Sequence, residues 1–318
     1  MNQNTNIYEL VIVGGGPAGM SAGVYAARKK LKTLLLAKNL GGQPSEAWQI
    51  DNYLGLPAVL GIELAEKFKS HLKKFSQDIE IKEGEIVVEI KKTEQAENNL
   101  PLFNVYTEKE KFPAKALIIA TGVSPKKLGI PGEEKFTNRG VVFCATCDAP
   151  LFKDKIVAVV GSGNAGLDAA IQLTSYAKKI YLLNKYPDLH KGDLSYVEKI
   201  EKSPLIGILN NALPKEIKGD KFVKSLVWEN VKTKETQEIE VEGVFVEIGS
   251  APSLHFAKQL LKYNEKNEII INPETNATSC PGIFAAGDVT NMPYKQIIIS
   301  AGEGAKAALS AYYYLTKT

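Results

Sequence analysis

Two thiols two residues apart, Cys144-Ala145-Thr146-Cys147, are followed at once by a carboxyl, Asp148. A thiolate attacks a disulfide, and the sulfur that departs must be a good leaving group. Ala145 and Thr146 are small enough to let the two sulfurs close a short ring, so the pair can carry two electrons. If the segment opens a helix, the free N–H groups at its head lower a thiol pKa. Asp148 is placed to move a proton to or from the departing sulfur, a general acid–base role. His71, His190 and His255 are all remote in sequence, so a Cys–His dyad has no local support. A C-x-x-C is also half of a zinc site. A closed site needs four ligands, and only Cys280 and the dispersed histidines remain, so no metal is expected. Cys280 itself reads as a small buried thiol ahead of the Pro281-Gly282 turn.

The dithiol stands between two glycine loops. Gly14-Gly15-Gly16-Pro17-Ala18-Gly19 precedes it, and Gly161-Ser162-Gly163-Asn164-Ala165-Gly166 follows it. Each loop comes directly after an apolar run, Tyr8 to Val13 in one case and Ile156 to Val160 in the other, and each leads into a helical pattern, about Ala18 to Lys30 and about Ala165 to Ala177. Further strands are expected at Thr33 to Ala37 and Ile180 to Leu183. In that setting the pattern is a dinucleotide fingerprint. The first glycine makes the turn, the second lets backbone approach a pyrophosphate, and the third lets helix and strand pack closely. The helix N-terminus then offers N–H groups to the phosphates. One dinucleotide would donate electrons, a second relay them, and the cysteines deliver them to a disulfide.

Each unit closes alike: Leu117 to Gly122 with Pro125, and Val244 to Gly249 with Pro252, are strands ending in Gly with Pro three residues on. Short apolar runs around Glu83 to Lys92 and Asn104 to Phe112 are expected as antiparallel strands covering the sheets. Ile283-Phe284-Ala285-Ala286-Gly287-Asp288 is a strand ending in Gly-Asp, and Gln296 to Leu315 an apolar helix. The simplest arrangement returns this last segment to the first unit, with crossings near Val123 to Pro131 and Ser250 to Ser253. Trp48 and Tyr312-Tyr313-Tyr314 read as core and interface, and Lys67 to Lys74 as a solvated helix face.

Composition excludes other classes. At 318 residues there is room for about two domains. A 44% apolar content supplies a core. The net charge of +3 is too small and scattered to indicate nucleic acid or membrane surfaces. No run approaches a membrane span, Met1 to Asn6 is polar and leads straight into a strand, so no signal peptide is expected, and three cysteines fit a reducing compartment. A cytoplasmic location is expected.

These residues closely resemble the low-molecular-weight thioredoxin reductase family of flavoproteins. The likeness runs over nearly the whole chain: Gly14 to Gly19, Gly41-Gly42-Gln43, Asn52-Tyr53 with Gly55, Ala120-Thr121-Gly122, the Cys-Ala-Thr-Cys-Asp, the second glycine loop and Gly287-Asp288. The stretch Pro293 to Ile299 through Gly302-Glu303-Gly304 is especially like the flavoprotein reductase of alkyl hydroperoxide reductase; that relative carries extra N-terminal thioredoxin-like domains, which are not expected here, with the first strand read from about Tyr8. The resemblance implies an α/β fold of two Rossmann-like dinucleotide-binding domains with antiparallel β additions. The FAD domain would be discontinuous, 1–123 and 252–318, with an NAD(P)H domain carrying the dithiol inserted at 124–251. FAD would be held by Gly14, Gly16, Pro17, Ala18, Gly19, Gly41, Gln43, Asn52, Thr121, Gly122, Gly287, Asp288, Gln296 and Ile297. NADH or NADPH would be held by Gly161, Gly163, Asn164, Ala165, Gly166, Asn184 and Lys185. By the same resemblance Cys147 lies against the flavin, Cys144 is the nucleophile towards a separate thioredoxin- or glutaredoxin-like protein, and the molecule is a homodimer whose domains rotate against each other.

Two positions depart from pattern. An acid ending the second strand normally binds the adenosine ribose. The FAD unit has Ala37-Lys38 there, so phosphate and ring contacts must dominate; the second unit has Asn184, which can still bond a ribose hydroxyl. NADPH-dependent relatives carry a His/Arg cluster at this point, whereas here it reads Asn184-Lys185-Tyr186-Pro187-Asp188-Leu189-His190, in a chain with two arginines, Arg28 and Arg139, against 37 lysines. Lys185 could stand in for an Arg, but Asp188 would repel a 2′-phosphate. NADH is therefore favoured. The alternatives are a ferredoxin-dependent relative that has abandoned nicotinamide, which the intact second fingerprint opposes, and a non-enzymatic redox sensor.

Overall fold

Tyr8–Val13 and Ile156–Val160 are strands buried on both faces, which is why they read as unbroken apolar runs rather than alternating ones. Each lies inside a sheet of a computed structural model that describes residues 7–47, 49–97, 100–190, 192–252, 254–257 and 259–317. Trp48 and Ser253 lie outside the described residues. Among the described residues the helices are α1 (Pro17–Arg28), α2 (Gly61–Lys73), α3 (Glu133–Phe136), α4 (Ala145–Asp148), α5 (Asn164–Leu173), α6 (Leu194–Lys202) and α7 (Ile297–Thr316). The chain divides into two units, residues 1–124 with 251–318, and residues 125–250.

In the first unit, Tyr8–Val13 pairs in parallel with Thr33–Ala37 on one side and with Lys111–Ile119 on the other. Lys111–Ile119 has two partners along its far edge. Its first half pairs antiparallel with Leu100–Thr107, and its second half takes Ile283–Ala285 in parallel, Leu117 opposite Ile283. That split edge is how the last third of the chain enters the first sheet. Ile79–Glu83 extends the parallel side beyond Thr33–Ala37. The antiparallel strands expected as a cover over this sheet instead extend it edgewise: Val87–Glu97 and Leu100–Thr107 continue the same seven-stranded sheet. A hairpin whose partner strand is already central is paired by that strand's free N–H and C=O groups, so it joins the sheet rather than the layer above it.

α1 and α7 pack beside each other against this sheet, burying Ala22, Ala26, Ala307, Ala308 and Ala311. Their approach is close because Gly304 has no side chain: a Cβ there would stand 2.0 Å from the Ala18 carbonyl oxygen.

The second unit has five parallel strands in the order Val141–Val142, Gly243–Val246, Ile156–Val160, Lys179–Asn184, Ile206–Asn210. Here the antiparallel addition is a separate sheet, Ala212–Gly219, Val223–Asn230 and Thr236–Glu240. It buries Ile217, Leu226 and Trp228 against the parallel sheet's Ala158, Val160 and Val244. Both units thus have the Rossmann-like α/β form expected from the sequence.

Candidate functional site

The glycine loops place backbone where a nucleotide would need it. Gly14 has φ +121° and Gly161 φ +124°, a region that favours glycine, and a Cβ would stand 2.2 Å from the Ala120 oxygen in one case and 2.3 Å from the Glu247 oxygen in the other. The third glycines, Gly19 and Gly166, lie so close to the first that a Cβ would approach the Gly14 or Gly161 oxygen to 1.9 or 2.0 Å. The middle glycines, Gly16 and Gly163, are the N-caps of α1 and α5. A Cβ there would meet nothing within 4 Å, and neither helix has a side-chain cap. No side chain caps the N–H groups at the head of either helix, which leaves them available to an anion.

In the first unit, the residues expected around FAD gather by several contacts. Pro17 and Ala18 open α1, and the Gly41 N–H donates to the Gly15 oxygen at 2.9 Å. Gln43 Nε2 donates to the Val123 oxygen at 2.9 Å, and Asn52 Nδ2 to Gln296 Oε1 at 3.0 Å. Gln296 is the N-cap of α7, and Ile297, its first residue, packs against the Ile50, Val59 and Leu64 cluster. Thr121, followed by Gly122 at φ +66°, has a buried hydroxyl with no hydrogen-bond partner. The Gly287 N–H donates to Glu303 Oε2 at 2.7 Å, and Ser300 Oγ donates to Asp288 Oδ1 at 2.9 Å. Burial pushes the Asp288 carboxyl above its ordinary value. An orphaned hydroxyl, an uncapped helix and a glycine cradle fit a dinucleotide with ribityl and phosphate groups to satisfy.

In the second unit the dithiol is a disulfide, Cys144–Cys147, with 5.3 Å between Cα atoms. It heads α4. Cys144 is the N-cap, and its Sγ accepts the Cys147 N–H at 3.2 Å. The helix is tied sideways to α5, since Thr146 Oγ1 donates to Gln172 Oε1 at 3.2 Å and Gln172 Nε2 donates to Asp168 Oδ2 at 2.6 Å.

A family model described as pyridine nucleotide-disulphide oxidoreductase matches residues 8–308. The chain belongs to that family. The F component of the alkyl hydroperoxide reductase of Staphylococcus epidermidis is 40% identical over 311 residues, 98% of this chain and 59% of that protein. A Bacillus subtilis protein named NADH dehydrogenase is 37% identical, with the same shares covered. The chain therefore spans about three fifths of the length of the curated relatives it matches. Among solved structures, the thioredoxin reductase of Streptococcus pyogenes aligns with a TM-score of 0.91 at 34% identity, over 99% of this chain and all of that one. The likeness to thioredoxin reductases read from the motifs is thus borne out, and membership of the pyridine nucleotide-disulphide oxidoreductases implies both FAD and NAD(P)H. On the first unit's geometry, the purified protein is expected to show a two-banded flavin spectrum and to release FAD, not FMN, on heating. A colourless protein that cannot be reconstituted with FAD would end this reading.

In this pyridine nucleotide-disulphide oxidoreductase one nucleotide-site expectation needs correction. Asn184 is fully buried, and its amide is already used up. Oδ1 accepts from Ser162 Oγ at 2.7 Å and from the Tyr186 N–H at 3.0 Å. Nδ2 donates to the Asp188 oxygen at 2.7 Å and to Asn210 Oδ1 at 2.8 Å. It shapes the loop after its strand rather than presenting a group to a ribose. Asn164 is likewise engaged, donating to Asp193 Oδ2 and accepting the Asp193 N–H. Ala165 is exposed beside it, and Lys185 is exposed with its ammonium 5.1 Å from the Tyr186 ring centroid.

The acids are only half legible in the sequence. Asp148 is the acid expected beside the dithiol, and burial pushes its carboxyl up to about 7. Glu247 reads in sequence only as the tail of a strand, yet its Oε1 accepts the Ala145 N–H at 3.3 Å. A charged residue inside Val246-Glu247-Ile248-Gly249 is the signal that could find it. In the first unit, the acid missing at Ala37-Lys38 has a neighbour one strand over: Glu83 lies opposite Ala37, and its Oε1 accepts the Leu40 N–H at 2.9 Å.

Proposed function

We propose that the chain is a disulfide reductase of thioredoxin-reductase type. It takes electrons from a nicotinamide nucleotide, NADH by preference, and passes them through FAD and the Cys144/Cys147 pair to a thioredoxin- or glutaredoxin-like protein. The observation that carries the reading is the Cys144–Cys147 disulfide at the head of α4, in the unit that also holds the second glycine loop. FAD, when bound, supplies the two-electron step between nucleotide and disulfide. Gly14, Gly16, Thr121, Asp288 and the Asn52–Gln296 pair would hold it; Gly161, Gly163 and the N-terminus of α5 would hold the nucleotide phosphates. Cys144 attacks the partner disulfide, Cys147 resolves the mixed disulfide, and Asp148 holds or releases the proton. The working molecule is a cytoplasmic homodimer.

The preference for NADH rests on the loop after Asn184. A 2′-phosphate brings about two negative charges and is usually met by a bidentate Arg. Here His190 Nδ1 is paired with Asp188 Oδ1, which holds the Asp188 carboxyl below its usual range. Lys185 remains as one flexible point charge. In an anaerobic titration, NADH is expected to reduce the flavin with a rate constant over apparent Kd on the order of tenfold above that of NADPH. Tyr186→Arg should erode the difference. A clear preference for NADPH would overturn the reading of this loop. Flavin reduction by reduced ferredoxin and by neither nucleotide would replace the donor altogether.

A further inference from the structure

We infer that Glu247 is a positioning residue for the dithiol, fixing the head of α4 and setting the charge that the reduced cysteine pair faces. The inference rests on the redox reading of Cys144 and Cys147 but on different atoms. Glu247 is anchored by its main chain: its N–H donates to the Val160 oxygen at 2.9 Å, extending the ladder between Gly243–Val246 and Ile156–Val160. Its carbonyl is the group that a side chain on Gly161 would strike, so it is fixed against the second glycine loop. Its carboxyl accepts the Ala145 N–H of α4. At the head of that helix the Cys147 N–H is shared between the Cys144 sulfur and the Cys144 oxygen, and the Ala145 N–H goes to Glu247.

The groups facing Glu247 are anionic or neutral. Asp148 comes from α4 and Asp168 from α5, where Asp168 is bridged by Gln172 to Thr146. Among the described residues neither Glu247 nor Asp148 forms an ion pair. Burial, with the Asp168 and Asp148 charges, pushes the Glu247 carboxyl up to about 7. Below that pH it is a neutral acceptor for Ala145. Above it, a negative charge stands at the head of the dithiol helix and opposes a thiolate there.

The linkage is to disulfide reduction. Breaking the S–S bond takes two electrons, supplied by reduced flavin or by a small dithiol that is itself oxidised to a disulfide. It takes up two protons when both sulfurs end as thiols and one when a thiolate remains. The Glu247 charge moves the pH at which the second case replaces the first.

The test uses the full chain as purified, reduced with dithiothreitol, freed of reductant anaerobically and alkylated with iodoacetamide from pH 5 to 10. Glu247→Gln keeps an acceptor for Ala145 and removes the charge. It is expected to lower the apparent pKa of the faster-reacting cysteine by roughly one pH unit. Glu247→Ala should give the same shift and also faster amide hydrogen exchange at Ala145, which Glu247→Gln restores. A Glu247→Gln profile that overlies the unmodified protein's would overturn the electrostatic role. Unchanged exchange at Ala145 in Glu247→Ala would overturn the positioning role, and if that variant does not fold, the Glu247→Gln profile decides alone. No nucleotide or partner enters the measurement, so failure of the proposed activity and failure of this inference are separable.

Discussion

Replacing Cys144 with Ser is expected to cut nucleotide-driven reduction of a protein disulfide by on the order of a thousandfold or more, while reduction of bound flavin by nucleotide persists. Thiol–disulfide exchange runs through a thiolate, and a serine hydroxyl neither ionises near neutral pH nor leaves as a sulfur does. Cys147→Ser should lose turnover as completely but fail at a different step. The structure makes the two sulfurs unequal: Cys144 Sγ accepts the Cys147 N–H at 3.2 Å as the N-cap of α4, and no such donor is seen for Cys147 Sγ among the described residues. An N–H donor beside Cys144 supports its proposed role as the attacking sulfur. The Cys147→Ser protein should therefore accumulate a mixed disulfide with an oxidised thioredoxin-like partner, seen as a reducible adduct on a gel. The Cys144→Ser protein should not. The reverse pattern would exchange the roles of the two cysteines, and full activity in either variant would remove the dithiol from the reaction.

The parts of this protein that could be read from the sequence are those whose physics is local. A buried parallel strand is an apolar run, and a glycine loop between strand and helix has few alternatives. Tyr8–Val13, Thr33–Ala37 and Ile156–Val160 accordingly lie where the pattern put them. The parts that could not be read depend on partners far along the chain. Whether Val87–Glu97 covers the first sheet or extends it depends on Lys111–Ile119 having a free edge, and half of that edge goes to Ile283–Ala285. Asn184 at a strand end looks like a ribose contact until Ser162, Tyr186, Asp188 and Asn210 are seen to consume its four hydrogen-bonding positions. Glu247 stands 102 residues from the N–H it accepts. Nothing in the local pattern of either residue distinguishes a loop brace from a ligand, because the difference lies in which distant groups are already satisfied.

Asp148→Asn is expected to move activity and stability in opposite directions. The carboxyl sits at the end of α4, one residue beyond Cys147, and burial raises it from an ordinary 3.8 to about 7. In the proposed role it gives a proton to a departing sulfur or takes one from a thiol near neutral pH. An amide can do neither, so the thiol–disulfide steps should slow by about 10²–10³-fold, and the inflection near pH 7 in the rate profile should disappear. Stability runs the other way. The folded protein binds this proton more tightly than the unfolded chain does, so the cost of burying the ionised group is absent below about pH 4. It grows as pH rises from 4 to 7 and is complete above that. Above pH 7 the Asp148→Asn protein should be more stable than the unmodified one, by up to about 4 kcal/mol and less where the buried amide lacks partners. Below pH 4 the difference should vanish. Urea unfolding at pH 8 and pH 5, followed through Trp228 of the same unit, reads the predicted slope. A variant that loses activity without gaining stability at pH 8 would mean that Asp148 is ionised and well solvated in the folded protein.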